Sequence, residues 1–364
     1  MRIHEFCKPI AWLLLTTVLC VGCQKSEERK SQVELPAWMT DDAKPPEGAS
    51  PLRLVNAPAA ASLKLNVKVG DQFPLRKTVV QELTQQSLSS TPQQSYSKLE
   101  TLLAIQVVDQ QQDRLKLSVR YDRIRYQHQI ADDVLEFDST LPANEIAPVA
   151  TAYRNMINDG FKFWIGEDNQ IVEVDGLSEF LGRCLKAVPQ EQRQDVVLGI
   201  EAGSGDTGIA NFVDNTIGLL PFGQQTSPGD SWERQQHVTR PLPMIVNNLY
   251  TLKELTGQMA TIDIRGTISP STTLNNLNAS GVSVVVNGGH TLGSCVLYRE
   301  TGLPKESRID RQVDMTVTLP NSVQFKQTKR MTTTIETYPP NSSGTPTIVG
   351  APREQVIQQV SGEQ

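Results

Sequence analysis

Two cysteines near the start of the chain have a spacing that occurs in redox and metal-binding sites. Cys20 and Cys23 stand two residues apart in VLCVGCQ, residues 18–24. A C-x-x-C pair can act as a thiol–disulfide redox centre or supply half of a zinc site. A redox pair of the thioredoxin type needs a folded βαβ context that lowers a thiol pKa, and a zinc site needs two more ligands at short spacing. Neither is nearby, so the surrounding segment has to explain the pair.

The segment before the pair has the composition of a secretory signal. Arg2 and Lys8 give a weakly positive start, and residues 10–19 form a short apolar run. Such a run is too short to cross a hydrocarbon core of about 30 Å as a helix. The sequence therefore predicts export across a membrane.

The end of this run, LCVGC at 19–23, resembles the cleavage site of bacterial lipoprotein signal peptides. The resemblance implies removal of residues 1–22 and acylation of Cys23, which becomes the first residue of the mature chain. The sequence departs from the pattern at Cys20, where leucine is usual. The expected location is the cell envelope, with the chain lipid-anchored to a membrane and facing the periplasm or the exterior. Whether that membrane is the inner or the outer one stays open.

Charge and the remaining cysteines limit the partners. The formal net charge of −6 gives no electrostatic footprint for nucleic acid, so nucleic acid is not expected as a partner.

Cys184 and Cys295 remain in the mature chain after Cys7 and Cys20 leave with the signal. In an oxidising envelope these two could form one disulfide, and two buried free thiols are the alternative.

The body of the chain predicts an α+β fold dominated by antiparallel, twisted β-sheet. LKLNVKV at 63–69 and RLKLSVRYDRIRYQHQI at 114–130 alternate apolar and polar residues with period two, as a half-covered sheet requires. The phase changes between Tyr121 and Ile124, which predicts a bulge. Further strands are predicted at 73–88, 96–108, 161–165, 170–174, 230–238, 248–255, 258–268, 294–301, 305–319 and 324–338, and helices at 146–158 and within 177–220.

These segments divide the chain into four parts. Residues 1–22 are the signal peptide, 23–60 a lipidated start and disordered tether, 61–338 the β-rich domain with a central helical insert, and 339–364 a disordered tail. KVGDQFPLRKTVVQ at 68–81 and SPGDSWERQQHVTR at 227–240 both place Gly-Asp before an aromatic residue and a strand. This similarity suggests two related β-units.

Three segments extend the resemblance beyond the signal. GFKFWIGEDNQIVEVDGLSEFL at 160–181, SPGDSW at 227–232 and GSCVLYRETGLPKESRID at 293–310 resemble an uncharacterised family of β-rich bacterial envelope proteins. The resemblance spans about 60–338 and implies no activity and no catalytic residue.

The residues that could carry catalysis or hold a cofactor are better explained structurally. GSGDTG at 203–208 fits G-x-G-x-x-G, but the segment before it is predicted helical, whereas a dinucleotide site needs a strand there. His128, His237 and His290 have no metal-ligand partner at local spacing. The pairs Asp132 with Asp133 and Glu167 with Asp168 fall beside turn signals. No catalytic, cofactor or metal site is predicted.

Two surfaces remain as candidates for binding. Arg114, Lys116, Arg120, Arg123 and Arg125 could meet anionic headgroups, although a salt-bridged sheet face explains them as well. Trp164 and Trp232 could line an apolar cavity, with a filled core as the alternative.

The sequence therefore predicts a membrane-anchored, non-catalytic module that binds an apolar ligand or a protein partner. An envelope hydrolase with a carboxylate-based site and a purely structural envelope component are the alternatives.

Overall fold

The computed structural model describes residues 60–86, 92–142, 147–204, 213, 215–238, 242–271 and 282–337. Cys23, nearly all of the predicted tether 23–60, residues 205–208 and the predicted tail 339–364 lie outside the described residues. The strands are β1 (Ala61–Ser62), β2 (Gln72–Gln86), β3 (Gln93–Gln111), β4 (Arg114–Ile130), β5 (Asp133–Asp138), β6 (Gly160–Ile165), β7 (Ile171–Asp175), β8 (Gln225–Thr226), β9 (Ser231–Val238), β10 (Met244–Leu255), β11 (Met259–Pro270), β12 (Ser283–Tyr298), β13 (Pro304–Thr318) and β14 (Gln324–Thr337). The helices are α1 (Pro148–Met156), α2 (Leu177–Cys184) and α3 (Arg193–Ser204).

The described strands form one large antiparallel sheet and one small pair. Twelve strands make up the large sheet, with the order β7-β6-β4-β3-β2-β14-β13-β12-β11-β10-β9 and with β5 beside β4. The pair consists of β1 and β8. The prediction of a mainly antiparallel, β-rich fold with a few helices in the middle of the chain is therefore confirmed. No helix in the described ranges is long and apolar enough to cross a membrane.

The predicted bulge in β4 is present at Asp122. Leu102 of β3 pairs with Arg123 and Leu103 pairs with Tyr121, so Asp122 has no opposite residue. One extra residue shifts the inside–outside alternation by one position, so residues three apart across a bulge lie on the same face. Tyr121 and Ile124 are accordingly both buried on the same side of the sheet.

The two Gly-Asp segments form turns of the same geometry. Gly70 and Gly229 have φ angles of 96° and 97°, in the left-handed region that favours glycine. Each following aspartate accepts a 2.8 Å hydrogen bond from a backbone N–H three residues earlier, that of Lys68 or Ser227. The next strands, β2 and β9, both begin a run of antiparallel neighbours.

One face of the sheet, here called the inner face, carries the buried apolar residues. The largest cluster joins the inner faces of β2–β4 and β10–β14 with α1, α2, α3 and residues 213–220. Tyr121 stacks on Phe180 of α2 with ring centroids 5.5 Å apart. The helices therefore cover the end of the inner face that they contact, and that half of the molecule has an ordinary packed core.

The two remaining cysteines are free thiols. Cys184 ends α2, which packs against β6, and Cys295 lies on β12 between Ile262 and Ser307. Both thiols are buried and unbonded in the structure, which corresponds to the free-thiol alternative.

Candidate functional site

A line of mostly polar side chains crosses the inner face at right angles to the strands. Strand register places these residues opposite one another on nine neighbouring strands. Side chains at directly opposed positions share a face and lie about 5 Å apart. This transverse row consists of His128, Ser97, Gln81, Met331, Arg311, Thr291, Gly266, Asn248 and Arg234.

Apolar residues border the transverse row on both sides. On the side towards the helices, the neighbouring positions are occupied by buried residues. These are Leu99, Val79, Ile309, Ile264 and Tyr250, and all but Val79 belong to the main core. On the far side lie two smaller apolar clusters, here called the distal clusters. Their buried members are Val238, Met244, Val246, Ile268, Val286, Val313 and Met315, and Val282, Val317, Leu319 and Phe325. Every one of them belongs to a strand of the sheet or directly flanks one.

Three cations are buried on the inner face near the row. Lys77, Arg311 and Lys329 have only 7%, 4% and 8% of their surface exposed. They lie on the neighbouring strands β2, β13 and β14, with Arg311 opposite Met331 and Lys329 two residues from Met331. Burying a charge costs several kcal/mol in free energy unless it is paired, and each of these three side chains has an interaction partner.

Three buried hydrogen-bonding atoms in the row or next to it have no protein partner. In the described part of the chain, Thr291 Oγ1, Thr333 Oγ1 and Asn248 Oδ1 are buried and make no hydrogen bond. Thr291 and Thr333 are 1% and 2% exposed. Buried polar groups are rarely left unsatisfied, because each costs about 1–3 kcal/mol. These atoms mark the row as a place where a polar ligand group gains hydrogen bonds.

Gly266 gives the Asn248 side chain its position. A Cβ at residue 266 would lie 2.1 Å from Asn248 Oδ1, so only glycine leaves room for the amide across the inner face. The amide Nδ2 of Asn248 donates to Tyr250 Oη at 3.2 Å. The row is thus shaped by a small residue on β11 as well as by the polar residues on its neighbours.

The three histidines are not brought together. His128 lies in the transverse row, and its ring centroid is 6.2 Å from that of Tyr126. Burial lowers the pKa of His128, because the charged imidazolium is less well solvated there. His237 and His290 are exposed on β9 and β12. Among the described residues there is no group of three side chains that could hold a metal ion.

The predicted carboxylate pairs lie on turns. Asp132, Asp133, Glu167 and Asp168 are all exposed. Asp132 lies in the turn between β4 and β5, Asp133 begins β5, and Glu167 and Asp168 lie in the turn between β6 and β7. Exposed carboxylates in separate turns provide no geometry for shared acid–base chemistry.

The predicted basic face on β4 is largely ion-paired. Lys116 lies 2.5 Å from Asp175 and Arg120 lies 2.7 Å from Asp122. Arg123 and Arg125 share Asp138, at 2.7 and 2.8 Å. These contacts correspond to the salt-bridged alternative.

Trp164 and Trp232 do not line a common cavity. Trp164 points to the outer face, where Lys116 Nζ lies 5.0 Å from its ring centroid. Trp232 stacks on Tyr250 on the inner face and donates from Nε1 to the carbonyl oxygen of Leu219 at 2.9 Å. A cavity lined by Phe73, Ile105, Leu117, Ile217 and Leu303, among others, holds about 10 Å³, the space of one water molecule. This cavity is therefore too small for an apolar ligand.

The fold and this site define an antiparallel β-sheet protein with a polar row buried between apolar clusters. The chain belongs to a family of unknown function, DUF6263, whose model matches residues 112–304. No curated protein matches the chain. Among solved structures, a lipovitellin structure titled for its lipid–protein interactions is 8% identical, with a TM-score of 0.41, and the match covers 77% of this chain and 26% of that one. An outer membrane channel from Pseudomonas putida F1 is 9% identical, with a TM-score of 0.22, and the match covers 75% of this chain and 97% of that one.

Proposed function

We propose that the protein is a non-catalytic envelope lipoprotein that binds an amphipathic ligand on the inner face of its sheet. One observation carries this proposal: a row of polar and cationic side chains is buried between a filled core and the distal clusters. The distal side chains are apolar, and the row contains polar and charged groups. A ligand with an apolar part and a polar group matches both.

The distal clusters are the part of the molecule suited to the apolar portion. The helices α1–α3 belong to the main core, and the cavity described there holds about 10 Å³, the space of about one water molecule. In the described part of the chain, the distal clusters are built from strands of the sheet and residues that flank them.

The proposed lipid anchor would place the binding module at a membrane. Acylation at Cys23 would hold the protein on a membrane, and the segment that follows would act as a tether. Cys23→Ser is expected to abolish labelling by palmitate and to release the protein from the membrane fraction. Cys20→Leu, which matches the usual signal pattern, is expected to retain both. Unchanged membrane retention of Cys23→Ser would contradict the anchor.

Lipid extraction from the full-length protein tests the binding function. The chain is purified from a bacterial host in mild detergent, and the extract is analysed by mass spectrometry; we expect about one equivalent of a bound amphiphile per chain. Met315→Lys places a charge in a distal cluster and is expected to lose that ligand, whereas Thr316→Lys, one residue away on the outer face, is expected to keep it. Circular dichroism verifies that both variants are folded. Wild-type protein that neither carries nor takes up an amphiphile would refute the function.

A further inference from the structure

We infer that the large sheet opens locally along the line where its two edge strands meet, while the rest of the sheet stays paired. The edge strands are β7 and β9, and the line between them is here called the seam. Opening of the seam gives solvent and small molecules access to the inner face. The inference goes beyond the proposed function, because it concerns the motion of the sheet itself and its test needs no ligand.

The sheet contains two five-strand runs that begin in the same way. The first run is β2-β3-β4-β6-β7 and the second is β9-β10-β11-β12-β13. Before β2, the N–H of Gly70 donates to the carbonyl oxygen of Val107 on β3 at 2.8 Å. Before β9, the N–H of Gly229 donates to the carbonyl oxygen of Leu252 on β10 at 2.7 Å. In both runs the residue after this acceptor has no opposite residue on the following strand, so each run has a bulge there.

A second irregularity recurs at the same place in both runs. The rows of opposed residues that lead to it are Val107 with Leu117 and Phe163, and Leu252 with Ile262 and Cys295. One residue beyond Phe163 and Cys295 the ladder to the last strand shifts, which leaves Val172 on β7 and Lys305 on β13 without an opposite residue. Bulges are features specified by the sequence, so their matching positions identify matching strands. β7 is therefore the counterpart of β13.

These two matching strands differ in what covers them. Val174 of β7 lies opposite Phe163, and Ser307 of β13 occupies the same position opposite Cys295. Ser307 also pairs with Ile335 of β14 and is 1% exposed. In the described part of the chain β7 ends the sheet, and Val174 is 41% exposed although Phe163 is fully buried. The seam therefore lies where the second run has β14 as its cover.

Side chains hold the two sides of the seam together. Arg234 of β9 donates to the carbonyl oxygens of Asp168 and Leu220. Trp232 on the same strand donates to the carbonyl oxygen of Leu219. At the other junction between the runs, β14 pairs with both β13 and β2 along nearly its whole length. Regions with few backbone hydrogen bonds to their neighbours open at a lower free energy than the whole molecule unfolds. Within the described ranges, the seam is the junction of the sheet that meets this condition.

Hydrogen exchange of the full-length protein without added ligand tests the inference. Amides of β7 that donate to β6, and amides of β9 that donate to β10, are compared with amides of β2 and β14 by mass spectrometry with residue-level fragmentation. We expect the seam amides to exchange at least about 10-fold faster. Their rates should also depend little on added urea, because local opening exposes little surface, whereas the rates in β2 and β14 should rise with urea as global unfolding does.

Two variants separate local opening from global unfolding. Arg234→Gln removes the donor that crosses the seam and is expected to accelerate exchange of the seam amides about 10-fold. Ile335→Val removes one buried carbon from β14 and is expected to accelerate exchange in β2 and β14 about 5-fold, while the seam amides stay unchanged. The difference is expected because opening of the seam breaks the Arg234 contacts and leaves β14 packed.

One pattern of exchange would overturn the inference. Seam amides that exchange as slowly as those of β14, or that accelerate equally in Ile335→Val, would show that the seam opens only when the whole molecule unfolds. The proposed function would stand after that result, because it is judged by the bound amphiphile. The wild-type comparison decides the question even if Arg234→Gln does not fold.

Discussion

Arg234 on β9 donates a hydrogen bond from Nη2 to the backbone carbonyl oxygen of Asp168, at 3.2 Å. The same nitrogen donates to the carbonyl oxygen of Leu220 at 2.6 Å. β9 is one edge of the large sheet, whereas Asp168 lies in the turn between β6 and β7 at the opposite edge. The sheet must therefore curve until its two edges approach each other. Arg234 connects the edges through its bond to Asp168, and it also binds the segment that contains Leu220.

Removing this guanidinium should destabilise the curved sheet. Arg234→Gln loses donors to two backbone carbonyl oxygens, so we expect the free energy of unfolding to fall by about 1–3 kcal/mol. Urea denaturation followed by tryptophan fluorescence measures the change, and Trp232 on the same strand is a suitable reporter. Arg308→Gln is the matched control, because its ion pair with Asp310 is half exposed and should contribute less than about 1 kcal/mol. Equal stability of the two variants would show that the edge contact contributes little.

The bulge at Asp122 predicts how β4 responds to the loss of one residue. Deleting Asp122 would remove the one residue without a partner, so Tyr121, Arg123 and Ile124 would alternate regularly and Ile124 would stay on the inner face. We expect this deletion variant to fold, as judged by circular dichroism and soluble yield. Asp122→Ala keeps the residue count and removes only a partly exposed ion pair, so it should cost less than about 1 kcal/mol. A deletion variant that does not fold would contradict the role assigned to the bulge.

Asp138 should make the protein sensitive to acid. Burial by itself would raise the pKa of this carboxyl, but hydrogen bonds from Arg123, Thr140 and Arg125 outweigh it and hold the pKa well below its usual range. The folded state therefore binds a proton less readily than the unfolded state. This contribution to stability is complete above the unfolded pKa of about 4 and is lost as the pH falls below it.

Asp138→Asn tests this linkage. The variant should lose about 2 kcal/mol at neutral pH, because it leaves two arginines without their carboxylate. Its free energy of unfolding should also change less between about pH 5 and pH 2 than that of the wild type. Asp132→Asn, in an exposed turn, serves as the control and should follow the wild-type curve. An unaltered acid slope in Asp138→Asn would assign the acid sensitivity to other groups.

The two remaining thiols should be unreactive in the folded protein. Burial raises the pKa of Cys184 and of Cys295 to about 12. We expect neither to react with a disulfide reagent at pH 8, and both to react in concentrated guanidinium. Because the unfolded thiols ionise near pH 9, the free energy of unfolding should fall as the pH rises from about 9 towards 12. Leu141→Cys, at a position that is 62% exposed, provides a rapidly reacting control. A chain with no titratable thiol after denaturation would instead contain a disulfide.

Alternation of apolar and polar residues was sufficient to predict most strands, because the inner face is buried along their whole length. The strand predicted at 305–319 is β13 (Pro304–Thr318), and the phase change in β4 located its bulge. The first half of β12 was missed, because Gly288 and Gly289 give VVVNGGH the composition of a turn. β5 was missed as well, since only one of its six residues, Phe137, is buried.

The transverse row could not be predicted in the same way. Its members come from strands as distant in sequence as Gln81 and Arg311, and they meet only through the register of the pairs between them. A weaker signal was present in the strands themselves. Arg311 occupies an inward position between Ile309 and Val313, and Lys329 occupies one between Gln327 and Met331. A charged residue at an inward position interrupts the alternation and marks a buried site, but the pattern of one strand does not reveal its neighbours.

The pairing of β2 with β14 has a consequence for the order in which the molecule is built. Arg76 and Glu336 form an ion pair across these strands although 260 positions separate them in the chain, and the strands lie in the middle of the sheet rather than at an edge. The centre of the sheet is therefore the last junction that synthesis can complete. Until β14 has been synthesised, β2 has an unpaired edge that is open to aggregation. Conditions that slow folding at that stage should therefore promote aggregation through β2.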